Sequence, residues 1–555
     1  MTTAEFLTPE RLLAGGPRRF NLAVERLLLH LGFDDIRLID GAGDSGGDIL
    51  AHKDAGSFVF QCKWTTGTHI GRAAVDEVET ARTKYAVDRA VVVTNALPDT
   101  AAQRRADSLG DIGARVEFWT NAHLRRLSAA ILDQCPSGIV PRPYQADAIQ
   151  ALEKDLSERK RALLILATGL GKTLIGGEIV RRYLLRHPQD RVLVVAAMKD
   201  LVQQLERAFW RHLPKNVATQ VLTGDQKPVS FDGVTFATVE SADKAVFDGY
   251  RPALIMVDET HHVAEEGTFK RLLDACEQLP QFGVTATPWR GDHFDISTHF
   301  GEPSYKMGIA EGMAKGYLAQ VDYQVFVDNI NWEAVREASK EGYTLKELNS
   351  KLFLPQRDEA ILEMLWEAWS RTVQPRAILF CRTIKHAETI ADLLARYSNS
   401  WSNATCLHTA MGKRERELAL SAFRSGRIPI LTAVDILNEG VDVPDVNIIG
   451  FLRVTHSRRI FVQQLGRGLR IKEGLKERVH VLDFVTDIRR LAAIVNFRRE
   501  LEVARAPIET LMLDSAARIS FSDENVGGIM EAWLKDAANV ETAMDEAKLQ
   551  FPEVS

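Results

Sequence analysis

The sequence predicts an α/β protein of several domains: a small mixed α/β unit, two parallel-sheet domains in series, and a short helical C-terminal region. The first reason is the length of 555 residues, since a typical domain has ~150 residues and the chain therefore divides into about three or four. The second is composition, because 45% hydrophobic and 26% charged residues with 19 prolines are typical of a folded chain. The third is the alternation of apolar strand-like runs with helix-length segments, which is the pattern of βαβ units.

The N-terminal unit combines helical periodicity with short β-like runs. Its predicted elements are a helix over 20–31, a strand over 36–39, a hairpin from 48–51 and 58–63, a helix over 71–85 and a strand over 89–94. The stretch Cys-Pro-Ser-Gly-Ile-Val-Pro-Arg-Pro at 135–143 is rich in turn formers. It predicts a linker and a domain boundary.

Beyond the linker, apolar runs predict the strands of two parallel sheets. They are 162–167, 191–196, 235–238 and 254–257, and then 377–380, 428–432, 446–451 and 479–484. We expect further boundaries near 320–322 and near Arg499, after which the composition becomes helical and then acidic. The predicted domains are therefore 1–137, 138–320, 321–499 and 500–555.

Charge and composition limit the function classes. No apolar run approaches the ~18 residues of a membrane span, and the first residues lack a basic, apolar leader, so we expect a cytoplasmic protein without a membrane partner. Five cysteines without a C-x-x-C pair indicate neither a disulfide framework nor a zinc site. The net charge of −6 means that a nucleic acid must be bound by local basic surfaces. Arginine pairs such as Arg18–Arg19 are candidates.

A phosphate-binding loop is predicted at 167–173, where Ala-Thr-Gly-Leu-Gly-Lys-Thr lies between a predicted strand and a predicted helix. In such a loop, backbone N–H groups surround a phosphate at a helix N-terminus, the lysine reaches the β/γ oxygens and the threonine hydroxyl binds Mg²⁺. Leu166 stands where the full pattern has its first glycine. On this loop alone, a glycine-rich turn that binds no phosphate is therefore an alternative interpretation. The candidate nucleotide-binding residues are Thr168, Gly169, Gly171, Lys172 and Thr173.

Two acids end a later apolar strand of the same predicted sheet. Asp258 and Glu259 follow the run Leu-Ile-Met-Val at 254–257, and the strand ends of open α/β sheets are where ligands collect. Asp258 is predicted to hold Mg²⁺ through water, and Glu259 to orient and deprotonate the attacking water. Two acids alone are also compatible with a solvated turn, but together with the loop above they favour nucleotide hydrolysis.

The sequence Asp-Glu-Thr-His-His at 258–262 resembles the DExH box of superfamily 2 helicases and translocases, and similar motifs follow the family's order over roughly 142–483. They are Arg-Pro-Tyr-Gln at 142–145, the nucleic-acid-contacting segments 195–204 and 238–241, Thr-Ala-Thr-Pro at 285–288 with Arg290, and the later segments 380–383, 438–444 and 463–470. The resemblance implies two RecA-like domains, ATP and Mg²⁺ as cofactors, adenine recognition by Gln145, and nucleotide binding by Asp442. Within superfamily 2, the sequence resembles the branch of restriction-subunit and DNA-repair helicases. This resemblance implies that the bound polymer is duplex or forked DNA more than RNA.

A second lobe is required on physical grounds. Lys172 and Glu259 lie on one lobe and cannot stabilise the γ-phosphate charge from its far side, so an arginine must come from the other lobe. Arg467 and Arg470 are three residues apart and share one helical face, which suits that role. Closure around ATP and opening after hydrolysis would then move a bound strand.

A separate cluster predicts phosphodiester hydrolysis in the N-terminal unit. Asp48 precedes Gln61-Cys62-Lys63 by 13 residues, and a turn between two strands brings these groups together. Asp48, the Gln61 side chain and the Cys62 carbonyl offer hard oxygen ligands to Mg²⁺ or Mn²⁺, while Lys63 positions the attacking water. Glu25, on the preceding helix, is a candidate further ligand.

This unit resembles the Mrr-type PD-(D/E)xK nuclease domain through Phe20, Glu25, Gly-Phe at 32–33, Gly-Gly-Asp-Ile at 46–49 and Gln-Cys-Lys at 61–63. Gln61 stands where an acid is usual in the superfamily, which leaves a non-cutting DNA-binding domain as an alternative. The predicted function is an ATP-dependent DNA helicase or translocase coupled to a metal-dependent endonuclease, in restriction or antiphage defence with a defence-system partner protein. The alternatives are a DNA-repair helicase whose N-terminal domain only binds DNA, and an RNA-directed helicase. The sequence does not specify the oligomeric state.

Overall fold

The chain folds into three sheet-centred parts. A computed structural model describes residues 16–39, 46–136, 140–228, 230–260, 263, 266–286, 296–326, 358–434, 446–452, 469, 478–484, 488–505 and 518–521. The chain divides into two compact units, with the first sheet and most of the second in one unit and the third sheet in the other. Among these described residues, no helix has both the length and the apolar character needed to cross a membrane.

The N-terminal part is a five-stranded mixed sheet with helices on both faces. Its elements are α1 (Gly16–His30), β1 (Asp34–Leu38), β2 (Ile49–Lys53), β3 (Gly56–Lys63), β4 (His69–Ile70), α2 (Ala73–Tyr85), β5 (Arg89–Thr94), β6 (Leu97–Pro98), α3 (Thr100–Asp111), β7 (Val116–Trp119) and α4 (Asn121–Ala130). The sheet order is β1-β2-β3-β5-β7. The β1–β2 and β2–β3 pairs are antiparallel, which confirms the predicted hairpin, and the β3–β5 and β5–β7 pairs are parallel.

Strand β3 separates the two faces of this core. Phe58, Phe60 and Cys62 pack with α1 residues such as Phe20 and Val24. Val59 packs on the other face, together with apolar residues of α2 and α3. Because successive side chains of a strand point to opposite faces, the odd-numbered positions of β3 share the α2 side.

The second part contains a seven-stranded sheet. Its elements are α5 (Pro143–Arg159), β8 (Arg161–Leu166), α6 (Lys172–Arg186), β9 (Val192–Ala196), α7 (Lys199–Phe209), β10 (Thr219–Leu222), β11 (Val234–Thr238), α8 (Val239–Phe247), β12 (Leu254–Asp258), α9 (Thr268–Ala275), β13 (Gln281–Thr285), α10 (Ser297–Phe300), β14 (Tyr305–Met307) and α11 (Ile309–Ala314). The order is β10-β11-β9-β12-β13-β8-β14. The β10–β11, β11–β9, β9–β12, β12–β13 and β8–β14 pairs are parallel, as the buried apolar runs predict.

The third part contains another seven-stranded sheet. Its elements are β15 (Gln320–Phe326), α12 (Asp358–Arg371), β16 (Ala377–Cys381), α13 (Ile384–Tyr397), a 3₁₀ turn (Asn399–Trp401), β17 (Thr405–His408), α14 (Lys413–Arg424), β18 (Ile430–Val434), β19 (Ile448–Leu452), β20 (Arg478–Phe484), α15 (Ile488–Arg505) and β21 (Arg518–Phe521). The order is β17-β18-β16-β19-β20-β15-β21, with parallel pairs throughout. The prediction of two parallel sheets in series is therefore confirmed.

A cluster of buried polar side chains connects α15 to this third sheet. Arg490 and Asp483 are each 1% exposed, and Arg490 Nε donates to Asp483 Oδ2 at 2.8 Å. Tyr323 Oη, on β15, also donates to Asp483 Oδ2, and the Arg490 guanidinium lies 4.1 Å from the Phe451 ring centre. A buried charge is tolerated only when it is paired and hydrogen-bonded, as it is here.

The C-terminal region differs from the sequence prediction in two respects. Helix α15 continues through Arg499, so the predicted boundary at that residue falls inside a helix. Within the region predicted to be helical, Arg518–Phe521 forms strand β21 and pairs in parallel with β15. Pairing with a distant strand overrides local helix preference, and composition cannot reveal it.

Candidate functional site

The phosphate-binding loop joins β8 to α6. The loop turns through a hydrogen bond from Leu170 N to Ala167 O at 3.2 Å, and Gly169 and Gly171 have φ values of +93° and +90°. Only glycine adopts that left-handed conformation without a steric cost, so these two glycines allow the loop to turn directly into the N-terminus of α6. Leu166 is the last residue of β8 and is fully buried, so it belongs to the core.

Lys172 and Thr173 are the first two residues of α6 and are half-buried. A helix N-terminus presents unpaired backbone N–H groups and a partial positive charge. The lysine ammonium adds a full charge at the same position. The loop therefore has the backbone shape and the charge that an anion requires.

The acidic pair lies at the end of β12 in the same seven-stranded sheet. Asp258 is the last residue of the strand, and both acids are half-buried. Glu259 has a φ of +50°, which is uncommon for a residue with a side chain. Such strained positions persist only where the surroundings fix them, and they cluster at functional sites.

Gln145 occupies the third position of α5 and is buried. Its Oε1 accepts from Arg142 N at 2.9 Å and its Nε2 donates to Tyr144 Oη at 3.2 Å. These bonds fix the amide at the start of the helix, and adenine recognition by Gln145 stays a prediction. Asp442, Arg467 and Arg470 lie outside the described residues, as do positions 287–290, which include Arg290 and the end of the Thr-Ala-Thr-Pro segment.

The nuclease candidates converge on one face of the N-terminal sheet. In the β2–β3 register, Ile49 faces Phe60, and both belong to the core under α1. Asp48 and Gln61 are each one residue away from these positions, and Lys63 is two residues beyond Gln61 on the same strand. They therefore lie on the opposite face, which α2 covers.

The contacts of these residues are compatible with metal binding. Asp48 is buried, and its Oδ2 accepts from Cys62 N at 2.6 Å. Gln61 is 5% exposed, and among the described residues its Oε1 has no hydrogen-bond donor. A buried acceptor without a donor costs about 1–3 kcal/mol, which a cation would offset. One carboxylate, one amide oxygen and a backbone carbonyl form a hard oxygen set that fits Mg²⁺ or Mn²⁺.

The rest of the metal prediction needs correction at Glu25. Within the described part of the chain, no three His, Cys, Asp or Glu side chains cluster as metal ligands. Glu25 is on α1, which packs against the opposite face of the sheet from Gln61 and Lys63. Its Oε2 lies 3.2 Å from Arg207 Nε of α7. We therefore assign Glu25 to a contact between domains and not to the metal site.

Burial dominates the chemistry of Glu25. Desolvation raises the pKa of its carboxyl from 4.5 to about 7, Arg207 opposes this rise and the nearby Glu206 adds to it. The carboxyl is thus close to half-protonated at neutral pH. A carboxyl group with that pKa is uncharged much of the time, so it binds a metal ion weakly. Its charge also changes readily with its surroundings.

The surroundings of Glu25 form an interface that sequence reasoning missed, and which we call the docking contact. Arg26 is 1% exposed, and its Nη2 donates to Val217 O at 2.8 Å and Pro214 O at 3.1 Å. Arg19 Nη1 lies 3.1 Å from Glu206 Oε2. The docking contact comprises Arg18, Arg19, Glu25 and Arg26 of α1, Gln203, Glu206 and Arg207 of α7, and the carbonyls of Pro214, Val217 and Thr219.

The docking contact also explains the first arginine pair. Arg18 Nη2 donates to Gln203 Oε1 at 2.8 Å, and Arg19 pairs with a buried glutamate. Both arginines were candidates for phosphate binding, yet the structure uses them between two parts of the protein. Gln203 belongs to the segment 195–204 that resembles a nucleic-acid-contacting motif, so the N-terminal domain touches that motif directly.

A second missed residue is Glu77 on α2. Its carboxylate forms an ion pair with Lys63 Nζ, and Lys63 and Glu77 have side chains 32% and 42% exposed. No short sequence motif around Glu77 predicts this ion pair. The only sequence signal is that it lies on the helix after the β3 strand.

The chain matches three known families, which together describe a pair of helicase domains behind a restriction endonuclease domain. Residues 12–128 match the family described as restriction endonuclease, residues 138–290 the type III restriction enzyme res subunit, and residues 356–472 the helicase conserved C-terminal domain. The chain carries these three domains in this order, as the motifs predict.

Individual relatives agree with that class. The chain is 25% identical over 404 residues to the type I restriction enzyme EcoAI endonuclease subunit of Escherichia coli, covering 66% of this chain and 49% of that protein. It is 26% identical over 382 residues to the DNA 3′-5′ translocase XPB2 of Sulfurisphaera tokodaii, covering 62% and 82%. The solved structure of the ATP-dependent type ISP restriction-modification enzyme LlaBIII bound to DNA has a similar fold, with a TM-score of 0.52, 17% identity, and coverage of 93% and 41%.

The chain spans only part of most of these proteins. It covers 59% and 53% of two yeast relatives that match over 370 residues. It covers 49% of the EcoAI subunit.

Proposed function

We propose that this protein is an ATP-dependent DNA translocase or helicase coupled to a Mg²⁺-dependent endonuclease. One observation carries the nuclease half: the buried Gln61 Oε1, without a donor among the described residues, lies on the same sheet face as the buried Asp48 carboxylate. In a domain that only binds DNA, this buried acceptor would stay without a donor at a cost of about 1–3 kcal/mol. A site that binds a cation recovers that free energy.

In the nuclease site, the metal ligands and the lysine would have different roles. Asp48 and Gln61 would hold the metal, and the bond from Cys62 N keeps the Asp48 carboxylate in a fixed orientation. A bound Mg²⁺ supplies Lewis-acid polarisation of the phosphate and a more acidic water. Lys63 orients the attacking water and offsets charge that develops on the phosphate.

In the ATP-binding site, residues of this chain would bind the phosphates of the nucleotide. Lys172 and the N–H groups at the start of α6 would hold the β and γ phosphates, with Thr173 and Asp258 at the metal. Glu259 would orient and deprotonate the water. Its left-handed backbone sets the direction in which the side chain leaves the end of β12.

The docking contact supports coupling between the two activities. It joins α1 of the nuclease domain to α7, which overlaps the segment 195–204 that resembles a nucleic-acid-contacting motif. A rearrangement of that segment during ATP turnover would be transmitted to the nuclease domain through Arg18 and Arg19. The names of the relatives, which include restriction enzyme subunits and a DNA translocase, favour DNA as the polymer. The name of the EcoAI subunit also favours a role in restriction, and we propose antiphage defence in the cytoplasm as the setting of that role.

The central experiment measures both activities on one preparation. The full chain is given duplex DNA, forked DNA or single-stranded RNA with Mg²⁺, with and without ATP, while phosphate release and strand cleavage are followed. We expect DNA to stimulate ATP hydrolysis and to be cleaved. Asp48→Ala should abolish cleavage and preserve ATP hydrolysis, whereas Asp54→Ala, at the exposed β2–β3 turn, should preserve both.

Other outcomes select the alternatives. DNA-stimulated ATP hydrolysis without any cleavage would favour a repair helicase whose N-terminal domain only binds DNA. Equal stimulation by RNA would favour an RNA-directed motor, since proteins distinguish the two polymers at the 2′-hydroxyl. Comparing modified with unmodified plasmid DNA, and phage infection with and without the protein, tests the defence role.

A further inference from the structure

We propose that Glu77 is a positioning residue of the nuclease site, whose carboxylate holds the Lys63 ammonium in the orientation needed for phosphodiester cleavage. This inference rests on the proposed nuclease function. The carrying observation is the ion pair between Glu77 Oε2 and Lys63 Nζ.

Glu77 lies on the correct face of the sheet. Helix α2 covers the side of β3 on which Val59 is buried, and alternation assigns Gln61 and Lys63 to that side as well. Position 77 is one turn from Ala81 and close to Val78, both of which are buried in that core. The helix is thus fixed by packing, and Glu77 extends from a rigid base.

The loop before Asp48 also touches position 77. Gly46 has a φ of +88°, and a Cβ added there would overlap the Cβ and the carbonyl oxygen of Glu77. The backbone that leads into Asp48 therefore lies directly against the residue that binds Lys63. One position of α2 thereby sets the location of the metal-binding acid and of the lysine.

The neighbouring acids of α2 have other partners. Asp76 receives bonds from Arg72 Nε at 2.9 Å and Arg105 Nε at 2.7 Å. Glu79 receives two bonds of 2.7 Å from Arg82. Glu77 is the acid of this group that pairs with a predicted catalytic residue.

A lysine needs such a partner more than an arginine does. Its ammonium sits on a flexible stem with four rotatable carbon–carbon bonds, and ordering that stem costs conformational entropy. An ion pair at one side restricts the stem while leaving other N–H groups for a phosphate or water. The pair is one-third to two-fifths exposed, so the ammonium remains accessible to a substrate.

The test is a double-mutant cycle on the full chain, with single-turnover cleavage of duplex DNA in Mn²⁺. Glu77→Gln is expected to lower the single-turnover cleavage rate constant by about 10- to 100-fold, with the enzyme concentration that gives half the maximal rate unchanged. Glu77→Asp should recover part of that loss. In the Lys63→Met background, Glu77→Gln should cause no further loss, because its effect passes through the lysine.

Two controls separate positioning from folding and from metal binding. Glu79→Gln changes a paired acid of the same helix that does not contact Lys63, and it should cleave like the unaltered protein. Calorimetric titration with Mn²⁺ should give the same affinity for Glu77→Gln as for the unaltered protein, whereas Asp48→Asn should lose binding.

Three results would overturn the inference: full activity of Glu77→Gln, weakened Mn²⁺ affinity in that variant, or an additive loss in the Lys63→Met background. Weakened Mn²⁺ affinity would make Glu77 a metal ligand instead. If Lys63→Met and Asp48→Asn both cleave normally, the proposed nuclease site itself is wrong. That failure is distinct from the failure of Glu77 alone.

Discussion

Replacing Arg26 with alanine should release the nuclease domain from α7. The arginine is 1% exposed, and its Nη2 donates to the carbonyl oxygens of Val217 and Pro214 at 2.8 Å and 3.1 Å. The substitution removes two charge-assisted hydrogen bonds and leaves two carbonyls without that donor. Bonds to a charged group contribute about 1.5–3 kcal/mol each, so the docking contact should weaken by about 3–6 kcal/mol. Every 1.4 kcal/mol is about tenfold, which gives a rise of roughly 10²- to 10⁴-fold in the undocked population.

Hydrogen exchange of residues 131–136, which follow α4, measures this change. These residues should exchange faster and be cut faster by protease in Arg26→Ala, because undocking frees the chain between the domains. ATP-stimulated DNA cleavage should fall, while DNA-stimulated ATP hydrolysis persists. Arg37→Ala is the matched control, since its bonds of 2.8 Å and 2.7 Å to Asp35 are exposed and surface pairs contribute about 0–1 kcal/mol. Unchanged exchange and unchanged ATP-stimulated cleavage in Arg26→Ala would refute the coupling role of the docking contact.

Three further predictions test other sites. Burial raises the pKa of Glu25 from 4.5 to about 7, so between those values the folded state keeps a proton that the unfolded chain releases, and stability falls as pH rises through that window. Glu25→Gln should therefore gain about 3 kcal/mol of stability relative to the unaltered protein between pH 4 and pH 8, and parallel calorimetric profiles of the two would contradict this. Lys172→Ala should lose ATP binding and Glu259→Gln should retain ATP without hydrolysis, as measured with labelled nucleotide; tight ATP retention by the lysine variant would argue against its role. Arg490→Met leaves the buried Asp483 carboxylate without its ion-pair partner and should lower the free energy of unfolding of the third part by about 3–5 kcal/mol; an unchanged urea midpoint would count against this.

The parts of the fold that sequence predicts well are those encoded locally. Parallel strands such as β9 and β12 are buried on both faces, so they are continuous apolar runs and are visible without structural information. The phosphate-binding loop is equally local, because the glycines, the lysine and the helix start are contiguous. The β2–β3 hairpin was predictable because its two strands are separated by a short turn.

The face that each helix covers was not predictable. The alternation of β3 indicates that Gln61 and Lys63 share a side, but only the sheet topology reveals that α2 covers it and α1 covers the other. The sequence therefore suggests Glu25 as a metal ligand together with Asp48 and Gln61, although α1 covers the other face of the sheet. The docking contact was invisible for a related reason: Arg26 and Pro214 are 188 residues apart, and a buried arginine has the same local sequence pattern as an exposed one.

Strand β21 has a consequence for shortened forms of the protein. It pairs along β15 from Arg518 to Phe521, and β15 pairs with β20 on its other side. A chain cut after Arg505 would leave one border of β15 with bare amide and carbonyl groups, and such borders recruit strands from other molecules. Aggregation of a C-terminally shortened protein would then be a property of that exposed strand edge, which lies on a strand that carries none of the predicted motor or nuclease residues.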